Sequence, residues 1–209
     1  MNPGRLKWVL VFLLVNGVLR LPAQQSAADK AMSEIRTKAD KGDTQSQFEL
    51  ATAFFRGEYG VAKDEAEAVK WLRKAAEQNH VIAQNDLALC YQNGRGVAKD
   101  VLEAVRWWRK AAERNHAEAQ CSLGASYATG QGVARESQTA LLWFRRAAAQ
   151  NYAVAQCNLG MCYFAGLGVA TNYVEAVKWF HKAAEQNHAP AQSVLAYSYL
   201  TGRGVVKDG

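Results

Sequence analysis

Strict apolar alternation is absent from this chain outside very short windows, so no β-strand pattern is present. Cysteine is sparse: four in 209 residues does not suggest a small fold stapled by disulfides. Charge of one sign is weak. The net charge is +6, and setting aside Arg5, Lys7 and Arg20 of a leader-like segment leaves +3, too mild to argue for nucleic acid. A long hydrophobic run is also lacking. The apolar stretch Trp8–Val15 is too short to span a bilayer comfortably, and Asn16 and Gly17 interrupt its looser continuation to Leu19.

That stretch reads as an export signal instead. Arg5 and Lys7 precede it, and the small residues Ala23, Ser26, Ala27 and Ala28 follow. Residues 1–23 are therefore expected to be a signal peptide, cleaved after Ala23 or Ala28. The alternative is an uncleaved anchor, which would be the chain's only membrane contact. No cysteine lies near the cut, so nothing supports a lipid-anchored lipoprotein.

What the chain has in abundance is itself. The stretch Ala83–His116 returns at Ala119–Tyr152 and Ala155–His188, each time 36 residues further on. A looser copy precedes it at Ser46–His80, and half a copy follows at Ala191–Asp208. Self-similarity at a fixed period of this length marks a solenoid. The expected units are a linker and capping helix over 24–42, repeats at 43–80, 81–116, 117–152 and 153–188, and a partial repeat at 189–209.

Each repeat divides into two helices, A and B. In the second copy helix A spans about Ala83–Asn93, with Ala83, Leu87, Ala88 and Tyr91 on one stripe. Gly94 follows as a left-handed cap and Gly96 completes the turn. Helix B begins at Asp100, where Asp100 and Glu103 predict a reciprocal capping box; Asp64/Glu67 and Asn172/Glu175 repeat it. The third copy has Glu136 and Thr139 there, so a weaker start is expected. Trp71, Trp107, Trp143 and Trp179 stand in register, and volume matching against Ala88 or Gly124 would seat them. Asn115 suits the left-handed cap that ends helix B. The segment from about Ala28 to Lys41 carries Ala31, Met32, Ile35 and Ala39, which match Ala68, Val69, Leu72 and Ala76, and so reads as half a degenerate repeat.

The composite motif A-x-x-x-L-A/G-x-x-Y-x-x-G-x-G-V-x-x-D-x-x-E-A-V-x-W-x-x-K-A-A-E-Q-N-H resembles the Sel-one-like repeats, a branch of the tetratricopeptide-like helical repeats. The resemblance covers roughly residues 28–208. It implies an all-α fold, a right-handed α-solenoid superhelix of antiparallel helix pairs, and an adaptor or scaffold role in which partners bind the concave groove. Cysteine-rich relatives tie consecutive repeats at the positions of Ala112 and Gln120, and this chain has no cysteine at either.

Little in the sequence points to chemistry. His80, His116 and His188 share one repeat position, too far apart to converge on one metal, and read as link residues near helix ends. His181 stands alone on a basic face and reads as solvated. Cys90 and Cys162 share a position, as do Cys121 and Cys157; stacked equivalents lie about 8–10 Å apart, beyond disulfide reach. They are read as free, buried, small apolar side chains, with no disulfide. Some cysteine-rich relatives are associated with binding or hydrolysing β-lactams, but no Ser-x-x-Lys sequence and no nucleophile–base set breaks the periodicity here. No catalytic residue, metal or cofactor is assigned. Basic residues on helix B (Lys70, Arg73 and Lys74; Arg106, Arg109 and Lys110; Arg145 and Arg146; Lys178 and Lys182) mostly follow Glu67, Glu103 or Glu175 at ion-pair spacing, which suits a solvated face.

The side of helix A away from Leu87 and Tyr91 varies between copies and is apolar for a solvent face. It reads Phe48, Thr52 and Phe55; Asn85, Leu89 and Gln92; Cys121, Ala125 and Ala128; Cys157, Met161 and Phe164; then Ser193, Tyr197 and Leu200. These residues are the expected partner groove. The expectation is therefore an exported, secreted or periplasmic, non-catalytic scaffold that binds a protein or peptide and no nucleic acid, and that could self-associate through an exposed terminal repeat. A β-lactam-binding or -hydrolysing enzyme and an anion-binding cell-envelope component are the alternatives.

Overall fold

A computed structural model describes residues 22–205, so the expected signal over residues 1–23 lies almost wholly outside the described residues. Those residues form ten helices and no strand. In order they are α1 (Pro22–Asp40), α2 (Thr44–Arg56), α3 (Glu65–Glu77), α4 (Val81–Asn93), α5 (Val101–Glu113), α6 (Ala117–Thr129), α7 (Ser137–Ala149), α8 (Ala153–Ala165), α9 (Tyr173–Glu185) and α10 (Ala189–Thr201). They fall into two compact units that divide between Gln78 and Asn79. In the first, α1 and α3 both pack on α2. In the second, the antiparallel pairs α4/α5, α6/α7 and α8/α9 stack in chain order and α10 follows: an all-α solenoid.

Helix boundaries follow from local chemistry. Gly94 caps α4 in the left-handed conformation (φ 70°), and its N–H donates to the Cys90 carbonyl. Asn115 ends α5 with φ 64°; its N–H reaches Ala112 O and that of His116 reaches Ala111 O, a Schellman arrangement. Gly132 needs more than a positive φ (71°). A β-carbon there would lie 2.5 Å from the Val101 carbonyl oxygen, because the turn closes on the start of the preceding helix B.

The capping boxes form by halves. Asp64, Asp100 and Asn172 accept from the N–H three residues on, as expected, and Glu136 makes no such bond. The glutamates do not reach back. The N–H they would satisfy donates to the end of helix A instead: Asp64 to Phe54 O, Asp100 to Tyr91 O and Asn172 to Tyr163 O. Glu67, Glu103 and Glu175 turn to Lys70, Arg106 and Lys178 at 2.8–3.0 Å.

The tryptophans need a second correction. The aromatic that fills against Gly124 is Phe144, and Phe180 does the same at Gly160. These residues stand one position after the tryptophans in register. The indoles instead lie under a basic side chain three residues on: Lys74 over Trp71 at 3.7 Å, Lys110 over Trp107 at 3.9 Å, Arg146 over Trp143 at 4.7 Å and Lys182 over Trp179 at 4.3 Å.

Within each unit a buried glutamine ties a helix A to the helix B before it. Gln120 Nε2 donates to Ala112 O at 3.1 Å, and Gln120 Oε1 accepts from Gln150 at 2.8 Å. Gln47 does the same in the first unit, with Ala39 O at 3.2 Å and Gln78 at 2.7 Å. A hydrogen bond thus joins Gln120 to Ala112, eight residues earlier.

Candidate functional site

Helices α6 and α8 are each covered by their own helix B, α7 and α9, on one side and by a neighbouring repeat on another. Their remaining face is the candidate site. In the second unit this face reads Asp86 and Leu89 on α4, Ser122 and Ala125 on α6, and Asn158 and Met161 on α8, all half-buried except Met161 at 38% exposure. Each pair is three residues apart, so each forms one stripe.

The stripe is rotated from the one expected. Asn85, Cys121 and Cys157 are only 2–6% exposed, which removes them from an open face. The expectation gave helix A one covering neighbour, whereas α6 also meets α8, and Cys121 packs into a core with Ala155 and Leu159. Asp86, Ser122 and Asn158 come out in their place. The signal that could have found them was available: that position also changes from copy to copy.

Leu89, Gln92, Ala125 and Phe164 stay half-buried, and Tyr197 and Leu200 are 46% and 76% exposed. Ala128 is likewise half-buried. In the first unit Phe48, Thr52 and Phe55 are half-buried, and Thr52 Oγ1 donates to Phe48 O at 3.0 Å. Phe164 gathers Tyr173, with ring centroids 5.0 Å apart, and Tyr197, at 6.4 Å, and the Arg203 guanidinium lies over Phe164 at 5.6 Å.

Between α6, α7 and α8 the small side chains leave a pocket of about 200 Å³. Ala125, Ala128, Ala140, Phe144, Met161 and Leu167 make it predominantly apolar; Thr129, Ser137 and Asn158 add polar atoms. Asn158 is held by donation of its Nδ2 to Cys121 Sγ at 3.4 Å. The expected residues Ala125, Ala128 and Met161 meet here, while Phe144 and Leu167 were not anticipated.

Burial shifts the titratable groups near this face. Asp86 is pushed up to about 6, chiefly by burial, with the Glu118 charge adding and the Asn85 amide opposing. Burial raises Cys121 and Cys162 to about 11 and Cys157 in the same direction, so these thiols stay protonated at neutral pH. All four cysteines are buried. Among the described residues no group of three or more His, Cys, Asp or Glu could hold a metal ion. His80 and His116 prove to be helix N-caps: Nδ1 accepts from Ala83 N–H at 3.1 Å and from Ala119 N–H at 3.3 Å. Desolvation lowers the pKa of both. His181 is not simply solvated. Its Nε2 lies 3.1 Å from Tyr199 Oη, the place that Arg109 and Arg145 take on Tyr127 and Tyr163.

No helix among the described residues is long and apolar enough to cross a membrane. The fold and the face together define a helical-repeat protein, in which a repeated frame presents non-repeated side chains. The Sel1 repeat model matches residues 44–80, 81–116, 117–152, 153–188 and 189–209, and the chain belongs to this family. Sel1 repeat proteins are in general protein-interaction scaffolds, mostly non-enzymatic.

Among solved structures, the chain is similar to a protective antigen of uropathogenic Escherichia coli that displays an SLR fold. Identity is 39%, with a TM-score of 0.80 over 84% of this chain and 38% of the other. A Sel1 repeat protein of Oxalobacter formigenes is 35% identical, with a TM-score of 0.79 over 86% of this chain and 74% of that one. An F-box protein of Arabidopsis thaliana is 35% identical over 72 residues, 34% of this chain and 20% of its own length. The chain thus spans a fifth of that curated relative and well under half of the antigen.

Proposed function

We propose that this chain is a scaffold that captures a protein or peptide partner on the Asp86–Met161 face, with one apolar side chain of the partner anchored in the pocket between α6, α7 and α8. The pocket carries the reading. An enclosed apolar space of about 150 Å³ accepts a benzene ring, so about 200 Å³ lined by alanines, Phe144 and Met161 suits a single phenylalanine- or leucine-sized anchor. The stripe on either side would carry the rest of an extended segment or helix.

Panning a random peptide library on the full chain tests this. Recovered peptides should share a large apolar residue, and their binding should be lost in Ala128→Arg. It should persist in Leu142→Arg, which alters an exposed residue of α7. Equal binding by a well-folded Ala128→Arg variant overturns the reading.

The anion-binding alternative draws less support. Lys70, Arg106 and Lys178 sit in ion pairs, and Lys74, Lys110, Arg146 and Lys182 lie on indole rings, so the basic face is largely occupied with itself. Export is part of the proposal and rests on Arg5, Lys7 and the Trp8–Val15 run. Expression in a bacterial host should yield protein outside the cytoplasm whose N-terminus follows Ala23 or Ala28; a cytoplasmic product starting at Met1 argues against it.

A further inference from the structure

The open face of the second unit carries charge of one sign only. Helices α4 (VIAQNDLALCYQN), α6 (AEAQCSLGASYAT) and α8 (AVAQCNLGMCYFA) contain no lysine or arginine, in a chain whose net charge is +6. The basic side chains of this unit stand on helix B and in the turns. The same three helices hold two carboxylates, Asp86 and Glu118, both half-buried. They come from neighbouring repeats, and the Glu118 charge acts on Asp86.

No cation of the chain offsets this pair. Among the described residues no lysine or arginine forms an ion pair with either carboxylate. His116 lies within range of the Glu118 charge, but desolvation lowers its pKa and its Nδ1 is committed to the Ala119 N–H. Asp86 has only a long contact from Asn85 Nδ2, at 3.5 Å. The Oδ1 of that same amide has no hydrogen-bond partner, although Asn85 is 2% exposed. Carboxylate and amide oxygen thus stand side by side, short of a donor.

The frame does not require this arrangement. Ser122 and Asn158 occupy the Asp86 position in the next two repeats, and Ile82 and Val154 flank Glu118 in register. An acid in the first turn of α6 complements that helix end, which accounts for Glu118 in part. Asp86 lies mid-helix, where burial and a like charge both oppose its ionisation. Along α6, Glu118, Ser122 and Ala125 follow at four- and three-residue steps, so the acid shares a stripe with the pocket-lining Ala125. Seven helical residues place the two about 10 Å apart.

We propose that the partner segment carries a lysine or arginine that docks between Asp86 and Glu118 while its apolar anchor fills the pocket. This rests on the pocket reading and adds a charge and a spacing to it. About 10 Å is about three residues of an extended segment or two turns of a helix, so the cation belongs roughly three or seven residues from the anchor. Unbalanced negative charge beside an apolar pocket also rejects acidic segments.

A peptide array probed with the full chain tests it. Each peptide carries one phenylalanine in a glycine–serine background, with lysine, glutamate or glutamine at each step up to about eight residues away. At the favoured spacing lysine peptides should bind about five- to tenfold more tightly than glutamate peptides, and the gap should narrow as salt rises from about 0.05 to 0.5 M. Glu118→Gln and Asp86→Asn should each weaken the lysine peptides about threefold and leave the glutamine peptides unchanged. Glu113→Gln, at an exposed residue of α5, should affect neither. In Glu118→Lys the preference should reverse, making the glutamate peptide the better ligand. Lysine and glutamate peptides that bind alike, with both lost in Ala128→Arg, overturn the cationic partner and leave the pocket standing. Binding that survives Ala128→Arg, or an array that retains nothing, overturns the pocket reading and this proposal with it.

Discussion

The repeats α4/α5 and α6/α7 share one frame and make different surfaces from it. Both bury a helix A leucine, Leu87 or Leu123, and a helix B aromatic, Trp108 or Phe144. Along the open face, α4 carries Asp86, Leu89 and Gln92, whereas α6 carries Ser122, Ala125 and Ala128. Ala125 and Ala128 of α6 line the pocket of about 200 Å³. The two repeats also differ at their ends, since Asp100 caps α5 and Glu136 does not cap α7. Identity in such a protein is a matter of which volumes and charges the frame is given.

The largest effect expected comes from the aromatic. Phe144→Ala should cost about 3–5 kcal/mol, and Trp108→Ala a similar amount, by cavity formation. Only the first should be rescued by a small aromatic ligand, because Phe144 lines the pocket and its removal enlarges a space that already exists. Urea unfolding with and without benzene checks this. Equal rescue of both variants would break the distinction between the repeats.

Asp86 comes next. Its folded pKa of about 6 lies above the ordinary aspartate value of 3.8, so the native state holds the proton more tightly. The native state is therefore penalised as pH rises through about 4 to 6, and the penalty is complete above that. Asp86→Asn should stabilise the protein by about 2 kcal/mol at neutral pH and by little under acid conditions. Ser122→Asn, at the same position of α6, should change stability by less than about 0.5 kcal/mol. Chemical denaturation across pH decides between them.

The frame was legible because it repeats. Four or five copies of Gly94/Gly96, Asp100 and Asn115 average out local accident, so helix ends and turns read correctly from residue type. Two kinds of detail did not read. Glu103 belongs to a capping pattern whose second half is pre-empted by a tertiary bond, Asp100 N–H to Tyr91 O, that no local rule contains. Cys121 falls on the open side of an isolated α6 but is buried once α8 stacks beside it. Both misses come from neighbours in space, and the open face is defined by such neighbours. Its existence was therefore readable and its rotation was not.

The caps allow a sharper contrast at smaller magnitude. Asp100 accepts from the Leu102 and Glu103 N–H groups at 3.0 Å each, so Asp100→Ala should cost about 1 kcal/mol. Glu136→Ala should cost almost nothing, since the longer side chain accepts instead from Thr139 Oγ1. Glu136→Asp should recover part of the missing cap. If Glu136→Ala proved as damaging as Asp100→Ala, by thermal unfolding, the two helix starts would be equivalent after all.

The smallest effect concerns pH and the start of helix A. His116 caps α6 through an unprotonated Nδ1, while Tyr152 at the same position before α8 makes no side-chain cap bond. Burial lowers the folded pKa of His116, with the Glu118 charge opposing. An unfolded chain therefore takes up the proton first as pH falls. The stabilisation is complete above the unfolded value of about 6.5 and is lost as pH falls through the folded value. His116→Tyr, which installs the next repeat's residue, should reduce stability at pH 8 by no more than about 1 kcal/mol, the worth of a cap. It should also flatten part of the decline between about pH 7 and 5, leaving the share due to His80, which caps α4 in the same way. An unchanged slope in urea midpoints would mean that the ring acts at this position by shape alone. In that case histidine and tyrosine would be interchangeable there, and the difference between the repeats would lie wholly on the open face.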